Sequence, residues 1–103
     1  MITVTDYLAA ATALDKECND LVVRKNHDYA GNGDFFKCFA VCQQMGIADT
    51  EIGIMVRLSD KFSRLANLLK SSAEVDESVA DTIRDAINYL KILYAYREFG
   101  GSD

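Results

Sequence analysis

The sequence predicts an all-α fold, four helices gathered into a bundle within one domain spanning residues 1–103. Three observations carry that expectation. The chain has no proline, which suits long uninterrupted helices better than a loop-rich sheet protein. Apolar residues recur at three- and four-residue steps through most of its length. Half of the residues are hydrophobic, enough for a core and too many for a disordered chain.

Thr3 and Asp6 open the first helix with a hydroxyl at the cap and a carboxylate in the first turn. Tyr7, Leu8, Ala11, Leu14, Cys18, Leu21 and Val22 then mark one apolar face, running to about Lys25. The segment from Asn26 to Asp34 holds two glycines, two asparagines and two aspartates, and reads as a loop. Asp34 caps a short second helix whose buried side is Phe35, Phe36, Phe39, Cys42 and Met45, and Gly46 supplies a left-handed stop. Asp49 or Thr50 starts the third helix, with Ile54, Met55, Leu58, Phe62, Leu65 and Leu69 as its core stripe. A polar turn follows from Lys70 to Asp76. Asp76 caps the fourth helix, with Val75 stapled against Ala80. Val79, Ile83, Ala86, Ile87, Leu90 and Leu93 line its apolar side. Gly100-Gly101 ends it.

The formal charge of -5 and the isoelectric point near 4.7 disfavour duplex nucleic acid, whose phosphates require a basic surface. Three cysteines without a C-x-x-C pair suit buried thiols in a reducing compartment. No stretch has the length of a membrane span, and the N-terminus lacks the basic start and apolar run of a signal peptide. The expected setting is the cytoplasm. Leu93, Tyr94, Tyr96 and Phe99 leave an apolar surface on the last helix, and a homo-oligomer is expected to bury it.

Chemistry concentrates on two helices. Glu77, Asp81 and Asp85 are spaced by four and project from one face, where like charges repel unless something neutralises them. Oxygen ligands of this kind suit Mg²⁺ or Mn²⁺, hard ions that also bridge phosphates. Taken alone, such a triplet is more often a solvated face with Arg84 and Lys91 as partners. On the preceding helix Arg57, Asp60, Lys61 and Arg64 share a flank. Asp60 offers a fourth metal ligand, and Lys61 and Arg64 offer phosphate contacts, although an Asp60–Arg64 ion pair accounts for the spacing equally well. Lys25-Asn-His-Asp-Tyr29 adds a cation for phosphate, the Asp28 carboxylate and, in Tyr29, a ring for a base to stack on. His27 in a loop is a surface hydrogen-bonder. No Walker-type phosphate loop, G-x-S-x-G elbow or H-E-x-x-H pair is present.

Together, K-N-H-D-Y (Lys25 to Tyr29), R-L-S-D-K-F-S-R-L (Arg57 to Leu65) and D-E-S-V-A-D-T-I-R-D-A-I-N-Y (Asp76 to Tyr89) resemble the small phage and bacterial "nucleotide modification associated" domain. That family is similar to the all-α nucleoside triphosphate pyrophosphohydrolases of the MazG and dimeric dUTPase type. The resemblance runs from about residue 20 to residue 92. It implies a MazG-like helical bundle, usually oligomeric, from a phage-encoded protein of the host cytoplasm. The metal ligands it implies are Asp60, Glu77, Asp81 and Asp85, with Lys61, Arg64 and Asn88 on the ligand. The chain departs from the MazG pattern at one place. An E-x-x-E pair is replaced by Arg57-Leu-Ser-Asp60, a cation where one acid stands.

The leading expectation is thus a Mg²⁺-dependent nucleoside triphosphate pyrophosphohydrolase. Glu77 would serve as base and Lys61, with Arg64, would neutralise charge on the phosphates. The nucleotide contacts would be Lys25, Asp28, Tyr29, Arg57, Lys61, Arg64 and Asn88. A protein that binds or sequesters a nucleotide or cyclic nucleotide without turnover is the alternative, favoured by the missing acid pair. A small helical interaction module is the third reading.

Overall fold

A computed structural model describes residues 1–30, 35–70 and 76–99, with the side chains of 27–30, 76 and 77 outside that description. The described residues are helical with short turns and contain no strand. Three long helices dominate: α1 (Val4–Ala30), α3 (Thr50–Leu69) and α4 (Asp76–Glu98). Between α1 and α3 lie a single 3₁₀ turn at Lys37–Phe39 and a one-turn helix, α2 (Val41–Gln44).

The start of α1 is built as a reciprocal cap. The Thr3 amide and hydroxyl both donate to Asp6 Oδ2 at 2.9 Å, and the Asp6 amide donates back to Thr3 Oγ1 at 3.1 Å. The Thr3 amide, and after it the hydroxyl, hold the Asp6 carboxyl below its ordinary range. The helix continues past the expected stop at Lys25 to Ala30. No glycine or proline interrupts the chain before Gly31, so the hydrogen-bond ladder has no local reason to break. The Val75 staple lies outside the described residues.

The expected second helix is reduced to two separate turns. Gly46 stops the second of them at φ +74°, and the Ile47 amide reaches back to the Cys42 carbonyl at 2.9 Å, a left-handed C-terminal cap that glycine adopts without strain. Asp49 sits at the cap position of α3 but its side chain makes no capping bond. Instead the Thr50 amide and hydroxyl donate to Gln43 Oε1 at 3.0 and 2.9 Å, tying α2 to the start of α3.

The two helices α3 and α4 pair antiparallel, with Arg97 near the end of one bonded to Glu51 at the start of the other at 2.6 Å. Ile54 and Leu58 from α3, Ile92 and Tyr96 from α4, and Phe39 from the 3₁₀ turn are buried between them. Edge-on ring contacts close this core, Phe36 with Tyr96 at 5.4 Å and Phe39 with Tyr89 at 6.4 Å. Such pairs add about 0.5–1.5 kcal/mol beyond the area they bury. Tyr96 is thereby used inside the subunit and is not available to an oligomer, whereas Tyr94 and Phe99 remain exposed.

Helix α1 meets α4 from about Asp15 onward. Cys18 is fully buried, and its carbonyl accepts from Asn88 Nδ2 at 3.1 Å. Lys91 bonds to Asp15 and Asn19, and Arg84 to Glu17. The first turns stand clear of the core, leaving Tyr7 and Leu8 exposed on the stripe expected to be buried, with Val4 exposed beside them. Met55, Phe62 and Leu69 of α3, Leu90 of α4 and Met45 are exposed as well, contrary to their assignment to the core. The molecule measures 49 × 28 × 24 Å with a radius of gyration of 15.7 Å, against about 13 Å for a compact chain of this length. Among the described residues no helix is long and apolar enough to cross a membrane.

Candidate functional site

Where α1 ends and α3 and α4 pair, a cavity of about 210 Å³ opens. Lys25 and Asn26 line it from α1, Arg57 from α3, and Asp85, Asn88 and Tyr89 from α4, with Phe35, Cys38 and Phe39 closing it from the connecting segment. The extra turn of α1 beyond Lys25 keeps Lys25 and Asn26 on a rigid helix. On α4 the three-residue step from Asp85 to Asn88 puts both on the side that faces α1.

Charge in this cavity is unbalanced. Lys25 Nζ lies 3.2 Å from Asp85 Oδ1 and Lys61 Nζ lies 3.4 Å from Asp85 Oδ2. One carboxylate, 21 % exposed, is therefore shared by two ammoniums from two different helices. Arg57 adds a third cation. Its guanidinium lies 4.8 Å above the Phe39 ring and donates to the Cys38 carbonyl at 3.1 Å. Among the described side chains, two cations, Lys25 and Arg57, and one carboxylate, Asp85, line the cavity, and Lys61 stands behind that carboxylate as a third cation, in a protein of net charge -5. The Lys25 and Lys61 ammoniums and the Arg57 guanidinium each retain donors that an added anion can take.

Asn88 is almost fully buried, and its amide orientation is fixed by donation to the Cys18 carbonyl. Its Oδ1 has no hydrogen-bond partner among the described residues. A buried acceptor left open costs about 1–3 kcal/mol, and such groups are uncommon away from sites with a use for them.

The other expected site residues are distributed differently. Asp81 pairs with Arg84 at 3.1 Å, and Arg84 also meets Glu17 at 2.8 Å on the α1–α4 seam. The Glu17 hydrogen bond raises the Arg84 pKa above its usual value. Asp60 and Arg64 line a separate open depression on α3 with Ser63. The side chains of Asp28, Tyr29 and Glu77 lie outside the described residues. Lys25, Arg57, Lys61, Asp85 and Asn88 are thus brought together, while Asp60, Arg64 and Asp81 are not with them.

Among the described residues no group of three or more His, Cys, Asp or Glu side chains is placed to hold a metal ion. Of the expected metal ligands whose side chains are described, Asp85 is the one at the cavity, and both its oxygens are engaged by lysine. Mg²⁺ commonly takes one or two protein carboxylates and completes its shell with water and phosphate. For Asp85 to serve, a cation would have to displace the two ammoniums.

Phe39, Tyr89 and Cys38 were not singled out as ligand contacts from the sequence. Phe39 carries the signature of a core residue, and it is one, since the same ring forms core and cavity wall. Cys38 is exposed and Cys42 half-buried, so of the three expected buried thiols only Cys18 is fully enclosed. Burial pushes the Cys18 thiol above its ordinary pKa, as loss of water disfavours the thiolate. Comparison with protein-family models, with curated proteins and with solved structures finds no match to this chain.

Proposed function

We propose that this protein binds a nucleotide in the cavity between α1, α3 and α4. Phosphate meets Lys25, Lys61 and Arg57, and a ring lies against the walls formed by Phe35, Phe39 and Tyr89. What carries the reading is the surplus of positive charge at an aromatic-walled cavity in an acidic protein, with Lys25 and Arg57 lining it against Asp85 alone among the described side chains and Lys61 paired to that same carboxylate. An acidic chain keeps anions away in general, so a local cationic, ring-lined hollow selects for ligands that are both anionic and planar. Its volume is below the roughly 300–1,000 Å³ of pockets that enclose drug-sized ligands, so it takes one end of a nucleotide and leaves the rest outside. The resemblance of the Lys25, Arg57 and Asp76 segments to nucleotide-handling domains points to the same ligand class.

Hydrolysis with Mg²⁺ is a second reading, favoured by the position of Asp85 at the cavity and by the four-residue spacing of Glu77 and Asp81 on the same helix. Calorimetric titration with mono-, tri- and cyclic nucleotides, each with Mg²⁺ and with a chelator, separates the two. Pyrophosphate release is followed in parallel. Binding in chelator without release is the expected result, with affinity falling as salt is raised. Release that requires Mg²⁺ would establish the second reading. A chain that binds none of the panel in either buffer has some other role.

A further inference from the structure

Arg57 is held at two points. Its guanidinium lies 4.8 Å above the Phe39 ring, and Nη2 donates to the Cys38 carbonyl at 3.1 Å. Stacking fixes the plane of the group and the hydrogen bond fixes its rotation within that plane. The remaining N–H groups form a rigid fork, suited to two oxygens of one acid group, at the cavity that Arg57 lines. Lys25 lines the same cavity from α1 and spends one ammonium hydrogen on Asp85. The rest of its donors are open to a ligand.

An acid group that satisfies both cations offers a pair of oxygens to the fork and another to the ammonium. A terminal phosphate monoester has three unesterified oxygens and a charge of about −1.5 to −2 at neutral pH. A cyclic phosphate has only a pair of them and a single charge. We propose that the ligand is a nucleoside monophosphate taken up without a metal ion, its terminal phosphate held between the Arg57 fork and the Lys25 ammonium. The proposal rests on the nucleotide reading above and narrows it. Longer phosphates are disfavoured by the ion they carry. A triphosphate in the presence of Mg²⁺ holds the ion on its oxygens, and the ion fills the rest of its octahedral shell with oxygen ligands. Asp85, the one carboxylate lining the cavity among the described side chains, has both oxygens on lysine. The complex therefore brings a divalent cation towards Lys25 and Arg57 with no open carboxylate among them to receive it. A monophosphate holds Mg²⁺ weakly and arrives bare.

Calorimetric titration compares the 5′-monophosphate, the 3′,5′-cyclic monophosphate and the 5′-triphosphate of adenosine, guanosine, cytidine and uridine, each in Mg²⁺ and in chelator. For the base that binds best, the monophosphate is expected about tenfold tighter than the cyclic ester. Its affinity is the same in Mg²⁺ and in chelator, whereas the triphosphate weakens about tenfold when Mg²⁺ replaces chelator. Lys25→Gln removes the contact to the third oxygen, so the preference for monophosphate over cyclic ester falls to within about threefold. Arg57→Lys keeps the charge and discards the fork, so both ligands weaken about tenfold and the preference remains. Both side chains are exposed, and unchanged helical circular dichroism confirms that each variant is folded. A cyclic ester or a Mg²⁺-bound triphosphate that binds tighter than the monophosphate overturns the proposal and leaves nucleotide binding standing. So does a preference that survives Lys25→Gln. A panel in which nothing binds removes the nucleotide reading itself, and this proposal with it.

Discussion

Replacing Asp85 by asparagine gives the two functional readings opposite signs. Asp85→Asn keeps the shape of the side chain and removes the charge shared by Lys25 and Lys61, 3.2 and 3.4 Å away. The two lysine side chains are 51 and 29 % exposed, so water screens much of what is lost. The cost to folding is about 1 kcal/mol, a fall in Tm of about 4–8 °C for a domain of this size. Affinity moves the other way if the ligand is an anion held by the three cations. A phosphate about 6 Å from the Asp85 carboxylate is repelled by about 1.4 kcal/mol at an effective dielectric of about 40. Removing that repulsion tightens binding about tenfold. The assay is calorimetric titration of wild type and Asp85→Asn with the best-binding nucleotide in chelator at low salt, with a thermal melt beside it. The gain shrinks as salt is added, since screening acts on the repulsion as on the attraction. Weaker binding by Asp85→Asn, at unchanged helicity, would refute the electrostatic reasoning and make the carboxylate itself a ligand, of the nucleotide or of a metal ion.

Two further outcomes test the local packing. Gly53→Ala would ordinarily stabilise a helix by about 1 kcal/mol, but here the new Cβ falls 2.3 Å from Cys42 Sγ. That sulfur is itself held near the Phe39 and Asp49 carbonyls at 3.7 Å. The substitution is expected to lower the urea midpoint, at about 1–3 kcal/mol for overpacking, and adding Cys42→Ala should recover most of the loss; a higher midpoint for the single variant would show that the sulfur moves aside freely. Thiol labelling should order the cysteines, with exposed Cys38 reacting first and Cys18 unreactive until the chain is unfolded. Burial favours the neutral Cys18 thiol, so raising the pH activates it later than an ordinary thiol, and a nucleotide in the cavity should slow Cys38. Rapid modification of native Cys18 would contradict its enclosure.

The extent to which the sequence foretold this molecule follows from the range of the forces involved. The reciprocal cap of Thr3 and Asp6, the left-handed Gly46 and the position of Asp49 ahead of α3 are settled within four or five residues, and all were legible. The length of α1 was misjudged because asparagine and aspartate lower helix propensity by only a few tenths of a kcal/mol each, which Lys25 pairing with Asp85 across the α1–α4 seam offsets. The charged flank of α3 was legible as a set, yet it is divided in space. Lys61 turns to Asp85 and Arg57 to the Phe39 ring, while Asp60 and Arg64 face another depression.

By itself the sequence determined the helical class, the three long amphipathic segments and the list of charged side chains on which a site can draw. Tertiary structure alone decided which apolar face of each helix is buried inside the subunit. Periodicity reports that Met55 and Phe62 are apolar and aligned, and cannot report whether the surface opposite belongs to the same chain. It decided too that two lysines share Asp85 and that Asn88 is enclosed, because these contacts join residues on different helices, 24, 60 and 70 positions apart. Pairings at such separations depend on how the helices cross, and no local pattern encodes a crossing.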